Sequence, residues 1–374
     1  MIKVWDYSKE YELLRDDILE AVDEVFKNGP LIFGPKLDEF EEKFTAYNNC
    51  KYGVGVGNCT DAITIALKAL DIGFGDEVIT TSNTAVPTVT AIVNTGANVK
   101  FVDINEYSLI DVSKITEKIT KKTKAIVPVH LYGQMCEMNT IMEIANKYNL
   151  KVIEDCAQAH GATYLGKKAG SIGDVGCYSF YPTKIFGAYG DGGFITTNNE
   201  KLFDRIRRIR FLGMEKKKMS SGHWNGKYYA IEHGTNSRLD EVHAAILLKK
   251  LPYLDQWIDR RREIAKNYFE ELKNLNIDLP KEHHNNKHAY YVYVVAHPKR
   301  DQIIEKLSQK NIHLNISYPW PIHVMDAYKH FVCSTCDCLI KTEQASKKIF
   351  SLPMYPSLTN DEQIEVIKEL KVLI

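Results

Sequence analysis

An amine held near a carboxylate can do covalent chemistry on a carbonyl, and one stretch of this chain offers both groups. Residues 151 to 193 read KVIEDCAQAHGATYLGKKAGSIGDVGCYSFYPTKIFGAYGDGG. An apolar, β-branched run (Val152, Ile153) ends in Glu154-Asp155. A second strand-like run, Val175 to Phe180, leads into Pro182-Thr183-Lys184 and a glycine-dense turn. Open α/β sheets gather their chemistry at the carboxyl ends of strands, where both Asp155 and Lys184 fall. Taken singly they read as a strand-end aspartate and a surface lysine. Together they suggest Lys184 as the Schiff-base lysine of pyridoxal phosphate, with Asp155 keeping the pyridine nitrogen protonated.

The elements that must position these groups alternate. Helical spacing covers residues 8 to 28 and 36 to 47, and Tyr52 to Val56 is a short strand. That strand runs into Gly57-Asn58-Cys59-Thr60-Asp61 and an apolar-periodic helix, a pattern that makes an anion site from free N–H groups and the helix dipole. Strands follow at Glu77 to Thr81, Val99 to Asp103, Ala125 to Val129, Lys151 to Glu154, Val175 to Phe180 and Gly193 to Thr197. Helices are expected at Val86 to Asn94, Met138 to Tyr148 and Lys201 to Phe211. This order predicts an α/β fold whose large domain has a mainly parallel sheet between helices. Residues 213 to 236 read as a long loop. Helices are then expected over Arg238 to Leu251 and Leu254 to Leu275. Beyond them come strands at Tyr290 to Ala296 and Ile312 to Ile316, and helices at Asp301 to Lys310, Glu343 to Phe350 and Asp361 to Val372. A boundary near 250 therefore separates a large cofactor domain (1–250) from a small α+β C-terminal domain (251–374).

Composition narrows the function classes. The 374 residues are 44% hydrophobic and 26% charged, and Lys+Arg and Asp+Glu both total 48, so no charge excess points to nucleic acid or membrane. No run approaches the roughly 20 apolar residues of a membrane helix, and no signal-peptide core is present, so a cytoplasmic location is expected. The eight cysteines read as reduced thiols. Cys333, Cys336 and Cys338 beside His330 lack a second paired half, and no metal is expected.

Eight ordered stretches resemble the DegT/StrS family of sugar aminotransferases: GNCTDAITIALKAL, GDEVITTSNTAVPT, VPVHLYGQ, IEDCAQAHGA, GDVGCYSFYPTK, GDGG, NSRLDE and LPMYPSLT. The similarity implies a type I aminotransferase fold with a seven-stranded sheet, and pyridoxal phosphate alternating with its amine form. It implies Lys184 as nucleophile and proton shuttle, Asp155 as the pyridinium partner, and Gln158 beside the ring oxygen. Asn58, Cys59, Thr60 and Ser179 would hold the phosphate. Asn236 resembles an asparagine that reaches the phosphate from the neighbouring subunit, which implies a homodimer with shared active sites. The implied substrates are a nucleotide-linked keto sugar and L-glutamate. Arg238, Lys227 and the Lys216-Lys217-Lys218 run are candidates for the diphosphate, although the lysine run also reads as a solvated face. Tyr181, Tyr189 and His323 are candidates for the sugar pocket, with a packing role the alternative for His323. Ser82-Asn83-Thr84 is similar to members acting on dTDP-3-keto-6-deoxyhexoses, which favours them over the 4-keto class. A non-catalytic scaffold of the same fold is the alternative from another class.

Two positions depart from the family pattern. Ala85 stands where many members stack an aromatic on the pyridine ring, leaving His160 as one candidate cover and a structural histidine as its other reading. Cys59 replaces the usual glycine, which is tolerable only if its φ is negative.

Overall fold

The computed structural model describes residues 1–215, 229–332 and 339–374. Its central sheet contains β1 (Tyr52–Val56), β2 (Glu77–Thr81), β3 (Asn98–Val102), β4 (Thr123–Ile126), β5 (Lys151–Asp155), β6 (Val175–Ser179) and β7 (Gly193–Thr197). The spatial order is β1-β7-β6-β5-β4-β2-β3. β7 is antiparallel to β1 and β6, while the pairs among β6, β5, β4, β2 and β3 are parallel. The carboxyl ends of the other six strands therefore share one rim.

The helices are α1 (Ser8–Asn28), α2 (Pro35–Tyr47), α3 (Cys59–Ala69), α4 (Val86–Val93), α5 (Met138–Tyr148), α6 (Glu200–Ile209), α7 (Glu241–Lys250), α8 (Leu254–Leu272), α9 (Arg300–Ser308), α10 (Ile340–Ser346) and α11 (Asn360–Lys371). Successive strand residues point to opposite faces, so the Val/Ile-rich strands feed two cores at once. Val78, Ala125, Ile153 and Ile195 join the core that contains α3, α4 and α6 residues. Ile79, Ile126, Val152 and Phe194 join the other, which contains α2, α5 and α7 residues. There Phe40, Phe44, Phe180, Phe186 and Phe194 are fully buried, each worth roughly 1.5–3 kcal/mol of burial.

A third core gathers Ile264, Tyr268, Ile303, Ile312, Phe350 and Val366 around β8 (Tyr293–Ala296) and β9 (Ile349–Leu352), an antiparallel pair. Ile2 belongs to it: its N–H donates to the Asn311 carbonyl and its carbonyl accepts from His313, both at 2.8 Å. Apolar contacts change hands inside α8, where Leu254, Trp257 and Ile258 face the sheet and Ile264, Ala265 and Tyr268 face the third core. We propose that the boundary expected near 250 falls within this helix.

The helix expected over 343–350 begins earlier and stops at Ser346, and Ile349–Leu352 is β9 instead. Pairing with β8 decides that segment, since the Ile349, Phe350 and Leu352 side chains are buried by it. Over 312–316 the structure has two isolated bridges, Ile2 with Ile312 and Asn315 with Ser351, rather than a strand.

Candidate active site

The alternation that builds the two cores also separates the last two residues of β5. Asp155 faces the α4 side of the sheet. Its Oδ2 accepts from the Thr88 hydroxyl at 2.8 Å and its Oδ1 from the Ala157 N–H at 3.1 Å. Burial pushes its pKa up, against the Thr88 and Ala157 hydrogen bonds and the charge of Lys184. Glu154 faces the other way. It accepts from the N–H groups of Gly170, Ile172 and Gly173 at 2.9, 2.8 and 2.7 Å, and pairs with His130 Nε2 at 2.9 Å. Burial works to raise its pKa, but His130 and the amides outweigh burial and hold it below the ordinary value. His130, Glu154 and Cys156 lie within metal-ligand reach of one another. Protein donors already fill that carboxylate, which removes any need for an ion.

Lys184 lies in the turn beyond β6, its N–H donating to the Tyr181 carbonyl at 2.8 Å. Among the described residues its Nζ makes no hydrogen bond or ion pair. It sits 4.6 Å from the centroid of the Tyr291 ring. Thr183 and Tyr291 join hydroxyls at 3.0 Å, and buried Arg261 braces the Tyr291 carbonyl at 3.1 Å. Burial draws the Lys184 pKa down, but Tyr291, Tyr318 and Asp155 together carry it above the ordinary value. The phenols are neutral at neutral pH, so Asp155 is the charge that acts there. The amine and the acid thus sense each other, and both act on Cys59. They share one site.

The start of α3 closes that site. Asn58 is the N-cap, accepting from the Asp61 N–H at 2.8 Å, so its side chain is already spent. The N–H groups of Cys59 and Thr60 and the Thr60 hydroxyl find no partner among the described residues, which leaves donors for an anion. Cys59 has no positive φ and is the first residue of the helix, so glycine is not required there. Its thiol is buried, which pushes its pKa up. Gly193 is required: a Cβ on it would lie 2.4 Å from the Asn58 carbonyl carbon. Ser179 ends β6 and is buried, its hydroxyl accepting from the Tyr181 N–H at 3.3 Å.

Of the remaining sequence candidates, Gln158 stays with the site and the others scatter. Gln158 is buried between two tyrosines, accepting from the Tyr132 N–H at 2.8 Å and donating to the Tyr318 hydroxyl at 2.6 Å. Tyr181 is half exposed. Asn236 and Arg238 open onto a groove with Gly57, Asn58 and Asp61 that does not include Lys184 or Asp155. Tyr189 belongs to a separate aromatic group, edge-on to Tyr7 and Tyr11, under the Lys250 ammonium. His323 is buried, with Nδ1 2.7 Å from the Ser82 hydroxyl and Nε2 3.0 Å from Glu343, so packing is its observed role. His160 is not positioned as a ring cover. It packs among Phe44, Tyr178 and Phe180 on the face opposite Asp155, its pKa pulled to about 3 by burial. Lys216 to Lys218, Lys227 and the three C-terminal cysteines lie outside the described residues.

Thr88, Tyr132, Tyr291 and Tyr318 reach the site without being singled out in the sequence. The Thr84/Thr88 spacing of four, at a helix start, is the signal that could have found Thr88. The tyrosines arrive by tertiary packing and carry no local signal.

Comparison with known proteins shows the family. Residues 12–371 match the DegT/DnrJ/EryC1/StrS aminotransferase family, and the chain belongs to it. It is 46% identical to the dTDP-3-amino-3,4,6-trideoxy-alpha-D-glucose transaminase of Micromonospora megalomicea subsp. nigra, covering 99% of this chain and 98% of that one. It is 41% identical to the pleiotropic regulatory protein of Geobacillus stearothermophilus, over 99% and 97% of the two chains. Its fold superposes on S. venezuelae DesV, crystallised in complex with a ketimine intermediate. The TM-score is 0.94 at 34% identity, over 100% of this chain and 98% of that chain.

Proposed function

We propose that this protein is a pyridoxal phosphate-dependent aminotransferase that moves an amino group from L-glutamate to a dTDP-linked 3-keto-6-deoxyhexose. One observation carries the reading: the Lys184 amine, unpaired among the described residues, and an Asp155 carboxylate with acceptor capacity in reserve act on each other's charge. The residues present suit the cofactor. Asp155 would face the ring nitrogen and Gln158 the ring oxygen. The Cys59 and Thr60 amides, with the Thr60 and Ser179 hydroxyls, would take the phosphate. When bound, the cofactor supplies an aldehyde that condenses with amines and a ring that accepts electron density.

The chain's own groups do the rest. Lys184 accepts a proton from the substrate carbon and returns it on the other side of the exchange. Asp155, ionised, keeps a proton on the ring nitrogen. Tyr291 lies against the lysine and limits its reach. The sugar assignment is supported by the Micromonospora relative and by Ser82-Asn83-Thr84 at the rim. Asn236 is exposed and would serve the phosphate of a neighbouring copy, in a homodimer with shared sites, and Arg238 and Lys227 would meet the diphosphate. Among the described residues no helix is long and apolar enough to cross a membrane, and a cytoplasmic location is the reading adopted.

The test is colour and product. Purified protein should be yellow, lose that absorbance on adding L-glutamate, and aminate a 3-keto rather than a 4-keto nucleotide sugar by mass and NMR. A regulatory reading has the Geobacillus relative's name behind it. A colourless protein indifferent to added cofactor would favour it.

A further inference from the structure

We infer that Thr88, backed by Thr84, is a positioning residue that aims the Asp155 carboxylate and holds it ionised toward the cofactor's ring nitrogen. This rests on the assignment of Asp155 proposed above. The two threonines form a chain of hydroxyls: Thr84 Oγ1 lies 2.9 Å from Thr88 Oγ1, which lies 2.8 Å from Asp155 Oδ2. All three residues are buried, so water cannot substitute for either hydroxyl.

Proton counting fixes the direction. An ionised carboxylate only accepts, so Thr88 must spend its single proton on Asp155 and take its own hydrogen bond from Thr84. A protonated Asp155 would accept more weakly from Thr88, or would donate to it and reverse the chain. The relay therefore favours the ionised acid in a place where burial opposes it. A threonine inside a helix usually bonds back to the carbonyl four residues earlier, but the Thr88 hydroxyl is engaged instead by Thr84 and Asp155. With Oδ1 held by the Ala157 N–H, the carboxylate cannot rotate without losing one of two bonds.

The turn that delivers Thr84 is itself clamped. Ser82 and His323 pair at 2.7 Å, the His323 N–H donates to the Ser82 hydroxyl at 3.1 Å, and the Ile322 N–H donates to the Ser82 carbonyl at 3.1 Å. Glu343 completes a serine–histidine–glutamate row. Ser82 has no exposed surface, which rules out a nucleophile and leaves anchoring. The threonine chain thus hangs from a fixed point.

The measurement is the ring-nitrogen NMR shift of pyridoxal phosphate labelled with 15N and bound to the holoenzyme, together with cofactor affinity. Thr88→Val keeps the shape and removes the hydroxyl. It should move the shift toward the neutral ring and weaken cofactor binding about tenfold. Thr88→Ser should restore the wild-type shift, which a purely structural role would not require. Thr84→Val should move it the same way by less, and it decides the matter if Thr88→Val does not fold. An unmoved signal in the folded threonine variants, with a moved one in Asp155→Asn, overturns the relay alone. An unmoved signal in Asp155→Asn overturns the assignment of Asp155 beneath it.

Discussion

Glu154 and Asp155 are neighbours of like charge, and the two faces of the sheet treat them differently. On one face Glu154 meets three backbone amides and a histidine, and every element of that shell is protein. On the other Asp155 meets one hydroxyl and one amide, and a lysine amine without a hydrogen-bond or ion-pair partner among the described residues lies within reach of its charge. A saturated carboxylate is a fastener. An under-saturated one beside an idle amine is a place for something else to bind. The difference comes from the pleat, since the side-chain chemistry is the same.

Removing the amine should have the largest effect. Lys184→Ala is expected to cut turnover by about 10⁴ while leaving the thermal midpoint near wild type, read by product formation and melting. Next, the two acids should separate cleanly. Asp155→Asn should lower turnover roughly 10²-fold and keep the fold. Glu154→Ala should cost about 3–5 kcal/mol of stability because it strands His130 and three amides, measured by denaturant unfolding. Equal stability losses in both variants would erase the contrast.

Acid should then move the two acids in opposite senses. The folded-state pKa of Glu154 is lowered, so its stabilisation is present above the ordinary value of 4.5 and fades as pH falls through the folded value. The folded-state pKa of Asp155 is raised, so its ionised form costs stability at neutral pH, and that cost disappears on acidification. Cofactor-free Asp155→Asn should therefore melt above wild type at neutral pH and converge with it in acid. Glu154→Gln should melt below wild type at neutral pH and converge as well. The smallest effect concerns a residue on neither acid: Cys59→Gly should destabilise by no more than about 1 kcal/mol, because the backbone there is already helical.

The sheet was legible because its strands are short Val/Ile runs set between periodic helices. Met138–Tyr148 and Gly193–Thr197 fall on their expected limits. The places of Asp155 at the end of β5 and of Lys184 just past β6 were legible because strand ends are predictable from the same runs. Residues 343–352 were not, since the few apolar residues of EQASKKIFSL fit either period until β8 is placed beside them. The tyrosine wall was hidden for a related reason: Tyr132, Tyr291 and Tyr318 come from three distant segments and meet only in the folded chain. Tyr189 shows the reverse relation of sequence to space. It follows the lysine closely in sequence, yet its ring belongs with Tyr7 and Tyr11.

The third core includes Ile2, and the Val4 carbonyl accepts from the Met354 N–H at 3.1 Å. Residues 2 to 4 must therefore wait for Asn311, His313 and Met354, far later in the chain, before they find their places. A fragment starting at α8 would emerge with an open seam where residues 2 to 4 belong. Supplying those residues as a separate peptide would be the natural way to close it.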